Sequence, residues 1–282
     1  MRYRYNEVNL HTHSYYCRHG KGEIVDYVNV AKAKGLLKVL GFSEHAPLPD
    51  RTLDYGTRMA YSELDDYERD VKRADGRGGI KVLLGAECDW IEDEAGYYRD
   101  ELLGERGYSY LLGSVHSMVS PVTGLDTYIS RIGIAFRPML PEYVRKYTKM
   151  LSSGLFLYGC HPDLYMADYR MWDENAKAAA KDIGECAKDC GVPLEMNDNG
   201  LRKCLIDTEE GKRHPYTTKE FWLMMKDMGV KIAMGSDAHM PQDVQGNETE
   251  GFPSATIKLS QDIGIKLVDW EIEGNQICVA DE

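Results

Sequence analysis

Apolar residues recur along this 282-residue chain in two alternating rhythms. Ile24, Val28 and Ala31, then Ala176, Ala179, Ala180, Ile183 and Ala187, then Phe221, Met224, Met225 and Met228 are spaced to form one stripe on a helix. Helical segments end at a Gly, and a short apolar run follows: Gly35 with Leu36 to Phe42, Gly79 with Ile80 to Leu84, Gly107 with Tyr108 to Leu112, Gly154 with Leu155 to Tyr158, Gly191 with Val192 to Leu194, and Gly229 with Val230 to Met234. Gly supplies the left-handed residue after a helix, and a short continuous apolar run suits a strand buried on both faces. Counting the opening run that ends Val8-Asn9-Leu10, seven strands alternate with helices. The pattern predicts an α/β fold with a parallel, closed sheet, a (β/α)7 barrel. Lys266 to Ala280 (266–280), with Glu273-Gly274-Asn275 at its centre, reads as an appended hairpin. No linker or low-complexity stretch divides the chain, so residues 1–282 are read as a single domain.

The predicted strand ends hold the candidate chemistry. The first strand runs into His11-Thr12-His13, the second into Glu44-His45, the third into Glu87, the fourth into His116, the fifth into His161-Pro162-Asp163 and the seventh into Asp237-Ala238-His239. In the last five of these, a ligand-type residue or its neighbour lies seven to ten positions after the Gly. Active sites of parallel β/α barrels lie at the C-terminal strand ends, so this spacing gathers the side chains around one mouth. His19 follows in the first loop, and of the eight histidines only His214 falls outside the set. Taken singly, each is as readily a hydrogen-bonded histidine or a solvated acid. Seven of eight histidines at strand ends is not a composition-driven scatter, and it predicts a polynuclear metal site. The nine candidate ligands are His11, His13, His19, His45, Glu87, His116, His161, Asp237 and His239. They are too many for one or two ions at three or four protein ligands each, and three ions fit if a carboxylate bridges. Imidazole and carboxylate ligation without thiolate suits three divalent transition-metal ions, Zn, Mn or Fe. Cys17, Cys88 and Cys160 adjoin ligands and are expected to face away if the pleat holds.

Charge narrows the partners. Basic residues number 34 against 46 acidic, a net −12 spread along the chain. That balance argues against general nucleic-acid binding or affinity for an anionic membrane. An anionic substrate would need a local positive centre, which bound cations supply. No apolar run approaches the ~18 residues of a membrane span, and the N-terminus lacks an apolar signal core. Seven cysteines, an odd number, with Cys186 and Cys190 spaced as helix neighbours, do not read as a disulfide framework; a reducing cytoplasm is the expected location.

His11-Thr12-His13 with His19, Gly41-Phe42-Ser43-Glu44-His45-Ala46-Pro47, Gly85-Ala86-Glu87, Gly113-Ser114-Val115-His116, His161-Pro162-Asp163 and Gly235-Ser236-Asp237-Ala238-His239 together resemble the polymerase-and-histidinol-phosphatase (PHP) superfamily, most closely its histidinol-phosphatase-like branch. The resemblance spans about residues 8 to 245. It implies a distorted, TIM-like (β/α)7 barrel with a trinuclear centre: one ion on His11, His13, Glu87 and Asp237, a second on Glu87, His116 and His161, a third on His19, His45 and His239. Catalysis is then expected to rest on Glu87, Asp237 and His239. It further implies that Asn197 and Arg202, after the sixth strand, edge the substrate, with Arg202 gripping phosphate through its planar fork. The branch usually carries an arginine soon after the Asp-Leu that follows His161; this chain has Tyr165-Met166-Ala167 there, with Arg170 as the possible replacement.

The expected activity is hydrolysis of a small phosphate monoester, with clustered cations activating water and neutralising phosphoryl charge. Histidinol phosphate leads, giving histidinol in histidine biosynthesis; phosphotyrosine or a nucleotide, as monoester or diester, is the alternative. A non-catalytic metal-binding domain is disfavoured because all nine positions are filled. His214 is a candidate for protonating the leaving alcohol, set against a plain solvated loop histidine.

Overall fold

The six glycines that punctuate the pattern all adopt left-handed backbone, with φ from 67 to 80°. Gly35, Gly191 and Gly229 directly cap the helices Ile24–Lys34, Glu174–Cys190 and Lys219–Met228. The apolar residue after the glycine then completes the cap: the Val192 N–H reaches the Ala187 carbonyl at 3.0 Å, and the Val230 N–H reaches that of Met225 at 3.1 Å. These residues therefore close helices before any strand begins.

The computed structural model describes residues 1–49, 56–120, 123–244 and 254–281. Seven parallel strands, Val8–Asn9, Val39–His45, Lys81–Asp89, Tyr110–Ser114, Tyr158–Gly159, Leu194–Asn197 and Ile232–Gly235, lie side by side in chain order. The last six start one to three residues later than the pattern predicts and run one to five residues further. His45 and Glu87 consequently lie inside strands. Six helices, Ile24–Lys34, Leu64–Ala74, Leu140–Leu151, Glu174–Cys190, Lys219–Met228 and Ala255–Ile263, present apolar faces to the core. On the last-but-one, the fully buried anchors are Phe221, Trp222 and Met225, while Met224 and Met228 are only partly buried. Among the described residues no helix is long and apolar enough to cross a membrane.

The seam between first and seventh strands is the weak point of the barrel, because their backbones pair only beyond the strand ends, at Thr12 and Ala238. Side chains stitch it. Fully buried Asn9 donates to Thr12 Oγ1 at 2.9 Å and Ser236 Oγ at 2.7 Å, while its carbonyl oxygen accepts from the Ser236 N–H at 3.1 Å. Ser236 Oγ in turn donates to the His11 carbonyl at 3.1 Å.

At the opposite end, the hairpin of Trp270–Glu273 with Gln276–Val279 pairs with Arg2–Tyr3 and floors the barrel. Trp270, 2% exposed, packs in one cluster with Val8, Leu10, Val39, Leu83, Tyr158 and Ala233. Above this floor the Tyr110 ring crosses the interior and donates to the Leu10 carbonyl at 2.7 Å. Gly41 and Gly85 make room for it; a Cβ on either would stand 2.1 to 2.3 Å from Tyr110 atoms.

If the Asn9 amide holds the seam, Asn9→Ala should lower unfolding free energy by about 2–4 kcal/mol, since it strands several buried partners. Chemical denaturation of the purified variant against the parent checks this.

Candidate metal centre

Strand parity delivers the site. On the third strand Leu83 faces the barrel interior, so Gly85, Glu87 and Asp89 share its face; on the fourth, Tyr110 and Leu112 are followed on that face by Ser114. Apolar side chains fill the lower layers and ionisable ones the top. Two backbone departures complete the ring: His161 (φ 30°) and Asp237 (φ 45°) lie outside the range ordinary residues favour, in keeping with the strain that collects at functional sites.

Glu87, 1% exposed, is the hub. Its Oε2 lies 3.3 Å from His11 Nε2, 3.4 Å from His13 Nε2 and 3.0 Å from His45 Nδ1. Its Oε1 lies 3.3 Å from His116 Nε2 and 3.0 Å from His161 Nε2. Asp237 Oδ1 faces His11, His13 and His239 at 3.7, 3.4 and 3.3 Å. His19, His45 and His239 form another group whose ring nitrogens lie within 4.8 Å of one another. All nine predicted ligands therefore meet at one mouth. His214 does not; it is half-buried and bonded at Nδ1 to the Lys203 carbonyl.

Supporting residues that the sequence reading left unassigned surround these nine. Glu195 accepts from His11 Nδ1 at 2.7 Å, from the His161 N–H at 3.1 Å and from Asn197 Nδ2 at 2.9 Å. Gly235 lets it in, since a Cβ there would stand 1.9 Å from Glu195 Oε1. Asp89 holds His116 Nδ1 at 2.9 Å and is paired with Arg58 at 2.6 Å. Glu44 accepts from Ser14 N–H and Oγ, both at 2.6 Å, and burial pushes its carboxyl up to about 7. Parity could have found Asp89 and Glu195, two residues from Glu87 and Asn197 on the same strand faces; Arg58 and Ser14 carry no such signal.

The predicted substrate residues are placed differently from the ligands. Asn197 is fully buried, donating to Glu195 and to Asp237 Oδ2 at 3.2 Å. Arg202 donates through Nη2 to the carbonyls of Ser236 at 2.6 Å and Asp237 at 3.0 Å. Arg170 ends the short helix Met166–Tyr169 and donates to the Ala167 carbonyl at 3.2 Å. The open cleft above the cluster, about 530 Å³, is bordered by Tyr128, Leu164 and Tyr216, and its non-histidine cations among the described residues are Arg131 and Lys203. The cysteine expectation needs correction. Cys88 faces outward into the core, but Cys160 Sγ lies within 4.8 Å of His11 and Glu195 ligand atoms, and Cys17 Sγ of His13 and His239, because strand five points Cys160 inward and the loop turns Cys17 back. Burial pushes both thiols above their ordinary range, which keeps them protonated.

The arrangement is matched by known proteins. The model of the PHP domain matches residues 9–199. The chain belongs to the PHP family. PHP proteins similar to it include the "Histidinol-phosphatase" of Bacillus subtilis, 26% identical over 271 residues covering 86% of this chain and 96% of that one, and the "Probable histidinol-phosphatase" of Deinococcus radiodurans, 27% identical over 270 residues covering 92% and 95%. The crystal structure of the histidinol phosphate phosphatase of Lactococcus lactis, complexed with zinc, L-histidinol and phosphate, superposes with a TM-score of 0.69 at 14% identity, covering 96% of this chain and 98% of that one. At that identity the likeness establishes the PHP fold, a seven-stranded parallel sheet nearly closed into a barrel.

Charge in this PHP site is strongly coupled. Burial opposes a charged His11 and His116, yet Glu195 beside the first and Glu87 with Asp89 beside the second outweigh it and hold both imidazoles well above their usual range. Burial likewise opposes ionised Glu87 and Asp237, but the surrounding histidines hold both carboxyls well below theirs. His45 is driven down by burial and His13, and His239 to about 4 for the same reasons. His13 and His19 are lowered chiefly by burial. Above about pH 7.5, a unit over the ordinary imidazole value, these four are neutral folded or unfolded and add no slope. His11 and His116, with raised folded values, contribute stability that is complete below about 6.5 and is lost as pH rises through those values. Metal-free protein should thus lose stability as pH rises beyond about 7.5, whereas metal-loaded protein should not, since ions replace those protons. Denaturation midpoints across pH with and without chelator test this; parallel curves would refute it.

Proposed function

We propose that this protein is a metal-dependent phosphatase that hydrolyses histidinol phosphate to histidinol and phosphate. The observation that carries the metal is a set of orphans: His11 Nε2, both His13 ring nitrogens, Glu87 Oε2, His161 Nδ1 and His239 Nε2 are buried without a hydrogen-bond partner. Each such group costs about 1–3 kcal/mol if left bare, and six on converging ligand-type residues fit divalent cations. The substrate reading is supported by the histidinol-phosphatase names of relatives that align over 86% and 92% of this chain.

Three ions are accommodated by His11, His13, Glu87 and Asp237; by Glu87, His116 and His161; and by His19, His45 and His239. The division of Glu87, with Oε2 toward His11 and His13 and Oε1 toward His116 and His161, supports its role as the shared ligand. Bound cations supply Lewis-acid neutralisation of phosphoryl charge and an acidified water. The protein's own part is orientation. Donation from His11 Nδ1 to Glu195, from His116 Nδ1 to Asp89, from His19 Nδ1 to the Cys17 carbonyl and from His239 Nδ1 to the Asp237 carbonyl fixes each ring and leaves Nε2 as the free donor atom. Asn197 and Asn199 hold Asp237 Oδ2, at 3.2 and 3.0 Å, which turns Oδ1 to the histidines.

Metal-replete protein is expected to carry two to three transition-metal ions per chain and to hydrolyse histidinol phosphate in preference to phosphotyrosine and nucleotide esters. Elemental analysis with a phosphate-release panel on the same sample tests both, and faster turnover of another ester would overturn the substrate. Glu87→Gln should lower metal content and reduce kcat/KM by about a hundredfold or more, as loss of a shared ligand weakens two sites together. A variant retaining both its metal and its rate would remove Glu87 from that role.

A further inference from the structure

Of the two carboxylates that hold imidazoles from outside the ligand cluster, one is itself gripped by a buried cation. Apart from His11, Glu195 is met by neutral donors, the His161 N–H and Asn197 Nδ2, whereas Asp89 takes a guanidinium. Arg58, 4% exposed, donates through Nη2 to Asp89 Oδ2 at 2.6 Å and through Nη1 to the Ala46 carbonyl at 2.9 Å. We infer that Arg58 is a positioning residue for the metal centre, acting through Asp89 on His116 and so on the ion proposed for Glu87, His116 and His161. The inference rests on the metal-dependent reading and deepens it.

Each link in this series is fixed by a second contact. Ala46 follows the ligand candidate His45, and its N–H donates to the Glu87 carbonyl at 2.8 Å, so the carbonyl that anchors Nη1 belongs to backbone already tied to the hub. Asp89 shares the strand face of Glu87, and the Tyr98 hydroxyl donates to its main-chain carbonyl at 2.6 Å. With Oδ2 held by Arg58, Oδ1 accepts from the His116 N–H at 3.0 Å and from its Nδ1 at 2.9 Å. Backbone and ring of His116 therefore turn on one oxygen, which aims Nε2 at Glu87 Oε1, 3.3 Å away. A competing partner lies close by, since Ser114 Oγ is 3.2 Å from the same Nδ1. Released from Arg58, the buried carboxylate is free to rotate and the ring to turn toward Ser114. Arginine suits this place because one planar fork meets two acceptors in different directions, which a lysine ammonium does without fixed geometry.

Metal-free parent and variants would be titrated calorimetrically with Mn²⁺, with Tm of the metal-free proteins measured alongside. Arg58→Ala should weaken one Mn²⁺-binding step about tenfold or more and leave the others within about threefold, the scale expected when a group behind a metal ligand is lost. Arg58→Lys should weaken the same step less. His116→Ala should lose that step, and adding Arg58→Ala to it should cost nothing further in Mn²⁺ binding, because the two residues act in series. Phosphate release by Arg58→Ala should fall at equimolar Mn²⁺ and recover in excess Mn²⁺, which a packing defect would not do. The inference falls if Arg58→Ala binds every ion within about threefold of the parent, or if all steps weaken together as the metal-free Tm drops. It falls equally if Arg58→Ala weakens Mn²⁺ as much in the His116→Ala background as in the parent. Should Arg58→Ala not fold, Arg58→Lys decides, and binding of every ion within about twofold of the parent then overturns the inference. A parent that binds no Mn²⁺ would overturn the metal centre and this inference with it, an outcome distinct from a metal-binding parent whose Arg58 variants match it.

Discussion

The carboxylate of Glu87 sits at the centre of the barrel mouth, touching five imidazoles and almost no solvent. Removing such a charge from water costs several kcal/mol unless opposite charge surrounds it. Protons on His11 and His116 can supply that charge, but they leave other ring nitrogens orphaned. Divalent cations satisfy both requirements together, because imidazole lone pairs and carboxylate oxygens all become ligand atoms. The outward-facing groups obey the same constraint: Glu195, Asp89 and the Cys17 and Asp237 carbonyls each accept a ring N–H, so the inward nitrogen of each ring is the one left to meet a cation.

Holding that carboxylate in position requires the barrel to close where its backbone pairing is poorest. The first strand contributes two residues and meets the seventh only past its end. Asn9, Ser236 and Arg202 replace the missing ladder with side-chain bonds to the same few backbone groups. This seam carries His11 and His13 on one side and Asp237 and His239 on the other. Seam and centre are therefore mutually dependent: cations held across it would add bonds between strands one and seven, and the seam sets the spacing between those side chains.

The alternation of helix, glycine and apolar run exposed the seven strands because each glycine is required at a positive φ and each run is buried on both faces. The convergence of these nine side chains was legible for a related reason, since strand ends in a parallel barrel face one mouth whatever the intervening loops do. Strand starts were misjudged because residues such as Val192 and Val230 are apolar for capping, a demand that looks the same in sequence as strand burial. The direction of Arg202 was not legible, as a guanidinium serves carbonyls and phosphate through the same N–H edges. Cys160 was misread because strand five already points it inward with Tyr158, and the bend at His161 brings that histidine to the same side; no residue type announces that bend.

Where cations can stand near such a centre follows from electrostatics. An arginine packed directly against clustered divalent ions would be repelled by them at the short distances and low dielectric of a buried site. One set back behind a neutral spacer is screened from the ions by solvent yet still reaches a substrate that bridges the gap. Arg202, closer to the ligand-bearing backbone, escapes the conflict by turning to the carbonyls of Ser236 and Asp237, where its charge meets the negative ends of peptide dipoles.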